Sequence, residues 1–227
     1  MDLSVREVAR LLGVTEKTVH RWLREKAIPA HRLHDQSRFN RVEIQEWAAA
    51  RGLRMAPDLA GVGGAPGAPL SLREAIERGG IHLRVPGATA DEVLEAVTKL
   101  PGIPDGVDRS LLRELLVGRE ALTSTGIGGG FAIPHPRDPL VMQVRQPIVL
   151  ACFLEHPVDF HAIDEAPVRV LFTLLSPSIR AHLQILARLT YALHDTALLK
   201  LLQKPAAPEA ILDRLGAIES QERALRP

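Results

Sequence analysis

The sequence predicts a chain of two parts: a small helical head carrying a short hairpin, and a larger α/β body whose mixed sheet is flanked by helices. Three observations predict it. Residues 52–70, GLRMAPDLAGVGGAPGAPL, are rich in Gly, Pro and Ala and have no hydrophobic period, as expected of a connection rather than an element. Before them, apolar residues recur at helical spacing on both sides of a Gly-Val turn. After them, PIVLACFLE and VRVLFTLLS are unbroken apolar runs of strand length set among helical patterns, the signature of central strands buried on both faces. The boundaries follow: a head over 1–51, a flexible linker over 52–69, and a body over 70–220.

Composition narrows the class. Of 227 residues, 46% are hydrophobic and 24% charged, which fits an ordinary soluble domain pair. No long uncharged apolar run is present, so no membrane insertion is expected. The opening MDLSVREVARLL mixes acids into a helical pattern and does not read as a signal peptide. The single cysteine, Cys152, excludes an intrachain disulfide and agrees with a cytoplasmic protein. In its apolar run it reads as a small core residue. Charge is divided unevenly: residues 1–54 hold 11 Lys and Arg against 7 Asp and Glu, and the rest hold 17 against 20. A basic head on an acidic body suggests a nucleic-acid contact at the head.

Within the head, Ser4 with Glu7 three residues on is a capping box, followed by the stripe Val5, Val8, Ala9 and Leu12. Gly13 suits the end of that helix. Thr15 caps a second helix, EKTVHRWLREK, with Val19, Trp22 and Leu23 inward. IPAHRLHDQSRFNR reads as a hairpin, and Val42 to Arg51 as a third helix carrying Ile44 and Trp47. The second helix offers Lys17, Thr18, His20, Arg21 and Arg24 on its outer side, where a major groove accepts such groups. Arg32, Arg38 and Arg41, in or after the hairpin, suit phosphates. A solvated charged helix used for protein contacts is the plainer alternative.

Val5, Val8 and Ala9, Gly13-Val14, Thr15, Trp22, and Phe39 leading to Ile44 and Trp47 together resemble the excisionase-like, MerR-type winged helix-turn-helix family over residues 3–47. The resemblance implies binding of duplex DNA. The long dimerisation helix common in MerR-type regulators is missing. One such module buries only about 600–1,000 Å² on DNA, so a homodimer assembled through the body is expected.

The body reads in order as a short helix (LSLREAIERG), a strand (IHLRV), a helix capped by Thr89, a helix (DRSLLRELLVGREAL), the two apolar strands, a long amphipathic helix (SIRAHLQILARLTYALHD), and two closing helices, TALLKLLQ and PEAILDRLGAIE. Between the second and third helices and the strands lies GGGFAIPHPRDP. Prolines on both sides of His135 push Ile133 and His135 to extended backbone, so the histidine is presented from a stiff strand end. The glycines allow close approach and leave amide groups for an anion. Neutral imidazole is a nitrogen nucleophile near neutral pH.

LLRELLVGREALTSTGIGGGFAIPHPR and FHAIDEAPVRVLFTLLSPSIRAHLQILARLTYAL resemble the enzyme IIA family of the bacterial phosphotransferase system, of the fructose, mannitol and nitrogen-regulatory type, over about residues 70–218. The resemblance implies that His135 accepts a phosphoryl group from an HPr-type phosphocarrier. It also implies that His182 and Arg119 support the phosphoryl group, by hydrogen bonding and by a bidentate contact. A helix histidine, and an Arg119 ion pair with Glu120 or Glu114, are the plainer alternatives. One departure stands out. Pro136 removes a backbone donor directly after the nucleophile, which shifts phosphate coordination toward side chains.

His156 and His161, with Asp159 and Asp164, read as flanking a turn after a strand. Without a metal-site pattern they suggest no metal, and no cofactor is expected. His20, His31, His34, His82 and His194 read as surface or packing residues. The sequence therefore suggests a transcriptional regulator whose body is phosphorylated on His135. A phosphoryl carrier serving a sugar permease, and a regulator that binds other proteins according to phosphorylation, are the alternatives.

Overall fold

In the computed structural model the first helix of the head starts at its predicted cap. Residues 2–25, 27–33, 36–40, 43–44, 47–48, 51, 53, 70–203 and 207–224 are described. Ser4 caps α1 (Val5–Leu11): its hydroxyl accepts from the Glu7 amide, and the Glu7 carboxylate accepts from the Ser4 amide at 2.8 Å. These bonds hold the Glu7 carboxyl below the usual carboxylate range. Gly13 leaves the helix at φ +63°, and Thr15 caps α2 (Glu16–Arg24) through the Thr18 amide. β2 (His31–Leu33) and β3 (Gln36–Asn40) form the expected hairpin, with Arg32 opposite Ser37 and His31 opposite Arg38. A strand that the sequence did not suggest, β1 (Asp2–Leu3), pairs antiparallel with β3.

The head closes on Val8, Leu11, Val19, Phe39, Ile44 and Ala48, all buried. Trp22 and Trp47 meet edge-on, with ring centroids 5.0 Å apart. An aromatic pair of this kind contributes about 0.5–1.5 kcal/mol beyond its burial. The predicted third helix lies partly outside the described residues, but Glu43, Ile44, Trp47 and Ala48 are helical. The linker predicted over 52–69 and Arg41 also lie outside them, apart from Leu53.

Two compact units divide the chain at Met1–Gly67 and Ala68–Pro227. The second begins with α3 (Leu72–Gly79), capped by Ser71, then β4 (Ile81–Val85), α4 (Ala90–Thr98, capped by Thr89) and α5 (Arg109–Leu122, capped by Asp108). Next come β5 (Gly126–Gly128), β6 (Phe131–Ala132), a 3₁₀ turn (Pro139–Met142), β7 (Ile148–Val158) and β8 (Val168–Leu175). The helices α6 (Ile179–Ala192), α7 (Thr196–Gln203) and α8 (Pro208–Ala224) follow.

The sheet is mixed, in the order β4-β7-β8-β6-β5. β4 runs parallel to β7, β7 antiparallel to β8, β8 parallel to β6, and β6 antiparallel to β5. Its alternation sorts the core. Leu150, Cys152, Leu171, Leu175 and Ala132 face α4 and α5, where they join Val93, Leu94, Val97, Leu112 and Leu116. The opposite face meets α3 and α6, whose contacts are with β7 and β8. Burial raises the pKa of the Cys152 thiol, so it stays protonated, as a core residue would.

One expectation needs correction. β7 runs on to Val158, so His156 lies inside a strand rather than at the start of a turn. A strand can continue through polar residues where one edge leaves the core, and Glu155, His156 and Pro157 are exposed. The glycine-rich segment before His135 also lies in structure that the sequence did not suggest. It is the turn of the β5–β6 hairpin, too short on each arm to show a strand period.

Candidate functional site

The hairpin turn uses Gly128, Gly129 and Gly130 at φ +88°, +63° and +85°, a region L side chains avoid. The Gly129 amide donates to the Asp164 carboxylate at 2.8 Å. That bond and one from the Ala166 amide hold the Asp164 carboxyl below its ordinary range. The expectation that these glycines keep their amides for an anion is thus corrected at Gly129, because the carboxylate of the facing loop takes it.

Beyond β6 the chain stays tied on both sides. The Ile133 amide donates to the Thr125 carbonyl at 3.0 Å, and the Leu174 amide donates to the Pro134 carbonyl at 3.0 Å. Thr125 is itself anchored by Glu120: its amide donates to one carboxylate oxygen at 2.9 Å and its hydroxyl to the other. Burial pushes the Glu120 carboxyl pKa up, and the two bonds from Thr125 oppose that shift. A chain of contacts therefore runs from the end of α5 through Thr125 to the segment that carries His135.

His135 is only 3% exposed. Its Nδ1 lies 2.7 Å from the Ile133 carbonyl oxygen. A carbonyl can only accept, so Nδ1 carries the hydrogen, and in the neutral ring the lone pair is on Nε2. His182, 1% exposed, faces it from α6, with ring centroids 4.9 Å apart and planes tilted by 54°. Ser178 caps α6 through the Ala181 amide, which places His182 in the helix's first turns. The positive end of the helix dipole lies there and favours an anion.

Arg119 sits in the last turn of α5, half-buried, and its Nη1 donates to the Thr123 carbonyl at 2.6 Å. The structure therefore brings His135 and His182 together directly, while Arg119 braces the segment leading to Thr125. Sequence reasoning missed the Ile133 carbonyl and the Glu120–Thr125 link. The Glu beside Arg119 was visible, but only as a partner for that arginine.

In the head, Lys17, His20, Arg21 and Arg24 are exposed along α2. Thr18 is half-buried, and its hydroxyl lies 3.0 Å from that of Thr15 in the cap. Arg38 is half-buried on β3 and close enough to Glu7 to favour its charged form, while Arg32 lies on β2. His161 stays with Asp159 at 3.2 Å.

The family model for the phosphoenolpyruvate-dependent sugar phosphotransferase system, EIIA 2, matches residues 74–217. The chain belongs to this family. A helix-turn-helix domain model matches residues 3–52. A nitrogen regulatory protein of Pseudomonas aeruginosa is 35% identical over 146 residues, covering 63% of this chain and 92% of the relative. A fructose-specific EIIA component of a phosphotransferase system from Haloferax volcanii is 34% identical over 127 residues, covering 54% and 80%. The crystal structure of the nitrogen regulatory protein IIA-Ntr from Neisseria meningitidis superposes with a TM-score of 0.53 at 28% identity, covering 65% of this chain and 96% of that one. The buried histidine pair and the hairpin that presents His135 both fall inside the EIIA domain. Among the described residues no helix is long and apolar enough to cross a membrane.

Proposed function

We propose that this protein is a DNA-binding transcriptional regulator whose EIIA domain takes a phosphoryl group on His135 from an HPr-type phosphocarrier. The observation that carries the reading is the His135–His182 pair, with Nδ1 of His135 tied to the Ile133 carbonyl. That bond leaves the lone pair on Nε2, the nucleophile of this reading. Its lone pair attacks phosphorus, and the P–N bond of the donor phosphohistidine breaks. The donor ring, protonated on its other nitrogen, leaves neutral. His135 becomes a cationic ring whose Nδ1–H stays on the carbonyl. Transfer of this kind asks for positioning and charge stabilisation more than for covalent work by the protein. His182, Arg119 and the start of α6 supply the cationic or donor groups of the site.

Lys17, His20, Arg21 and Arg24 on α2, with Thr18 at its start, are the groups proposed to meet the major groove. Arg32 and Arg38 on the hairpin strands are proposed to meet phosphates. Incubation with labelled phosphoenolpyruvate, enzyme I and the phosphocarrier, followed by intact-protein mass spectrometry, tests the first half. A selection on random duplexes over a salt series tests the second. Affinity should fall with a log–log slope of about −0.9 for each phosphate neutralised. No salt-dependent retention of any duplex would leave the head as a protein-contact module. A second reading, a carrier that passes its phosphoryl group to a sugar permease, is favoured by the similarity to the fructose-specific component. Transfer of label from the phosphoprotein to a permease component would distinguish it.

A further inference from the structure

We infer that Ser176 is a further ligand of the phosphoryl group on His135, donating its hydroxyl hydrogen to a phosphoryl oxygen. The inference rests on the phosphorylation of His135 proposed above. Ser176 follows the last residue of β8 and is 1% exposed. Its Oγ is fully buried and has no hydrogen-bond partner among the described residues. A buried hydroxyl without a partner is destabilising, because it has given up water for nothing, so its position calls for an explanation.

Position supplies one. β6 pairs parallel with β8, with Ala132 opposite Leu171. The Leu174 amide bonded to the Pro134 carbonyl carries the same register onward, which brings His135 opposite Leu174. Ala132 and Leu171 face α4 and α5, so His135 and Leu174, three residues on, face α6. Pro177 holds Ser176 extended, which continues the alternation and returns the Ser176 side chain to the face of Leu174. At strand spacings, Cα atoms offset by one strand and two residues are about 8 Å apart. Ser176 therefore stands on the same side of the sheet as His135 and His182, between the strand that flanks His135 and the cap of α6.

The backbone around His135 leaves this role open. Pro136 has no amide hydrogen to offer, and the Gly129 amide already serves Asp164. A side-chain hydroxyl replaces such donors at little cost when it is already desolvated. It gains its first partner when the phosphoryl group arrives, so its bond belongs to the phosphorylated state and favours transfer.

The test uses the full chain, labelled phosphoenolpyruvate, enzyme I and the phosphocarrier, with wild type, Ser176→Ala and Ser176→Thr compared. Ser176→Ala should melt at or above the wild-type temperature, because it removes an unpartnered hydroxyl. It should take label about tenfold more slowly, the size of one hydrogen bond. Its phosphohistidine should show a displaced ³¹P resonance, and Ser176→Thr should recover the rate. Wild-type rate and ³¹P resonance in Ser176→Ala, with His135 labelled, would overturn this inference and leave the phosphorylation reading standing. Slowed transfer accompanied by a lower melting temperature and no ³¹P change would reduce Ser176 to packing and overturn it too. Failure of the wild type to take label on His135 would overturn both.

Discussion

The rings of His135 and His182 lie 4.9 Å apart and are sealed from solvent. They are not interchangeable, because the Ile133 carbonyl holds Nδ1 of His135 and leaves the lone pair of the neutral ring on Nε2, the atom proposed to take the phosphoryl group. His135→Ala should therefore abolish phosphoryl uptake. His182→Ala should keep uptake but slow it about 10²-fold, the usual effect of removing one preorganised stabilising group. Rapid-quench measurement of labelled phosphoprotein, with circular dichroism as the folding control, checks both. Persisting acid-labile label in His135→Ala would place the nucleophile elsewhere.

Glu120 acts at a distance from the chemistry. Its two oxygens accept from the amide and the hydroxyl of Thr125, and the Thr125 carbonyl accepts from Ile133. Glu120→Ala leaves two part-buried donors unmet, a loss of about 1–3 kcal/mol. The expected outcome is a lower denaturation midpoint together with slower phosphorylation, since the hairpin behind His135 loses its anchor. Thr125→Val should reproduce part of both effects. Full phosphorylation rates in Glu120→Ala would show that the hairpin positions His135 without this link.

Asp195 gives a pH-dependent test in the same unit. Its carboxylate accepts from the Arg214 guanidinium, at 2.8 Å through Nε, and from the Leu198 amide at 2.8 Å. The bond from Arg214, more than any other contact, lowers its pKa to about 2. The folded value is lower than the unfolded one, so the contribution to stability is complete above about pH 4. It disappears as pH falls through about 2. Asp195→Asn should be less stable than wild type at neutral pH, and chemical denaturation at a series of pH values should show the gap closing over that acid window. A gap independent of pH would assign the loss to the cap on α7 rather than to the ion pair.

Much of this was legible beforehand because local rules and the fold agree. Ser4, Thr15 and Thr89 cap the helices they precede, and the two apolar runs became the neighbouring strands β7 and β8. The misses share a cause. β1, β5 and β6 are two or three residues long, so their strand character comes from pairing partners far along the chain, not from any period of their own. At the site, the Pro-His-Pro element made His135 visible, whereas Ser176 was hidden in an apolar run as an ordinary strand residue. The Ile133 carbonyl could not be seen either, since no sequence pattern shows which backbone oxygen a ring nitrogen will meet.

A phosphoryl group adds about −1.5 to −2 charges at neutral pH. Beyond about 8 Å at physiological salt its repulsion of DNA is largely screened, so direct repulsion is a weak route. The sequence joining head and body is rich in Gly and Pro, and such composition transmits rigid rotation poorly. Association of the bodies is the stronger route. Two heads held together see paired half-sites at high effective concentration, which raises avidity by about 10²–10⁴. Phosphorylation of His135 should therefore change duplex affinity only in the full chain, and together with a change in molecular mass. Light scattering and DNA titration on matched phosphorylated and unphosphorylated samples measure the two together. The isolated head, residues 1–53, should bind identically before and after exposure to the phosphocarrier. Equal masses with equal affinities would mean the domains are only tethered, and a mass change without an affinity change would separate assembly from DNA binding.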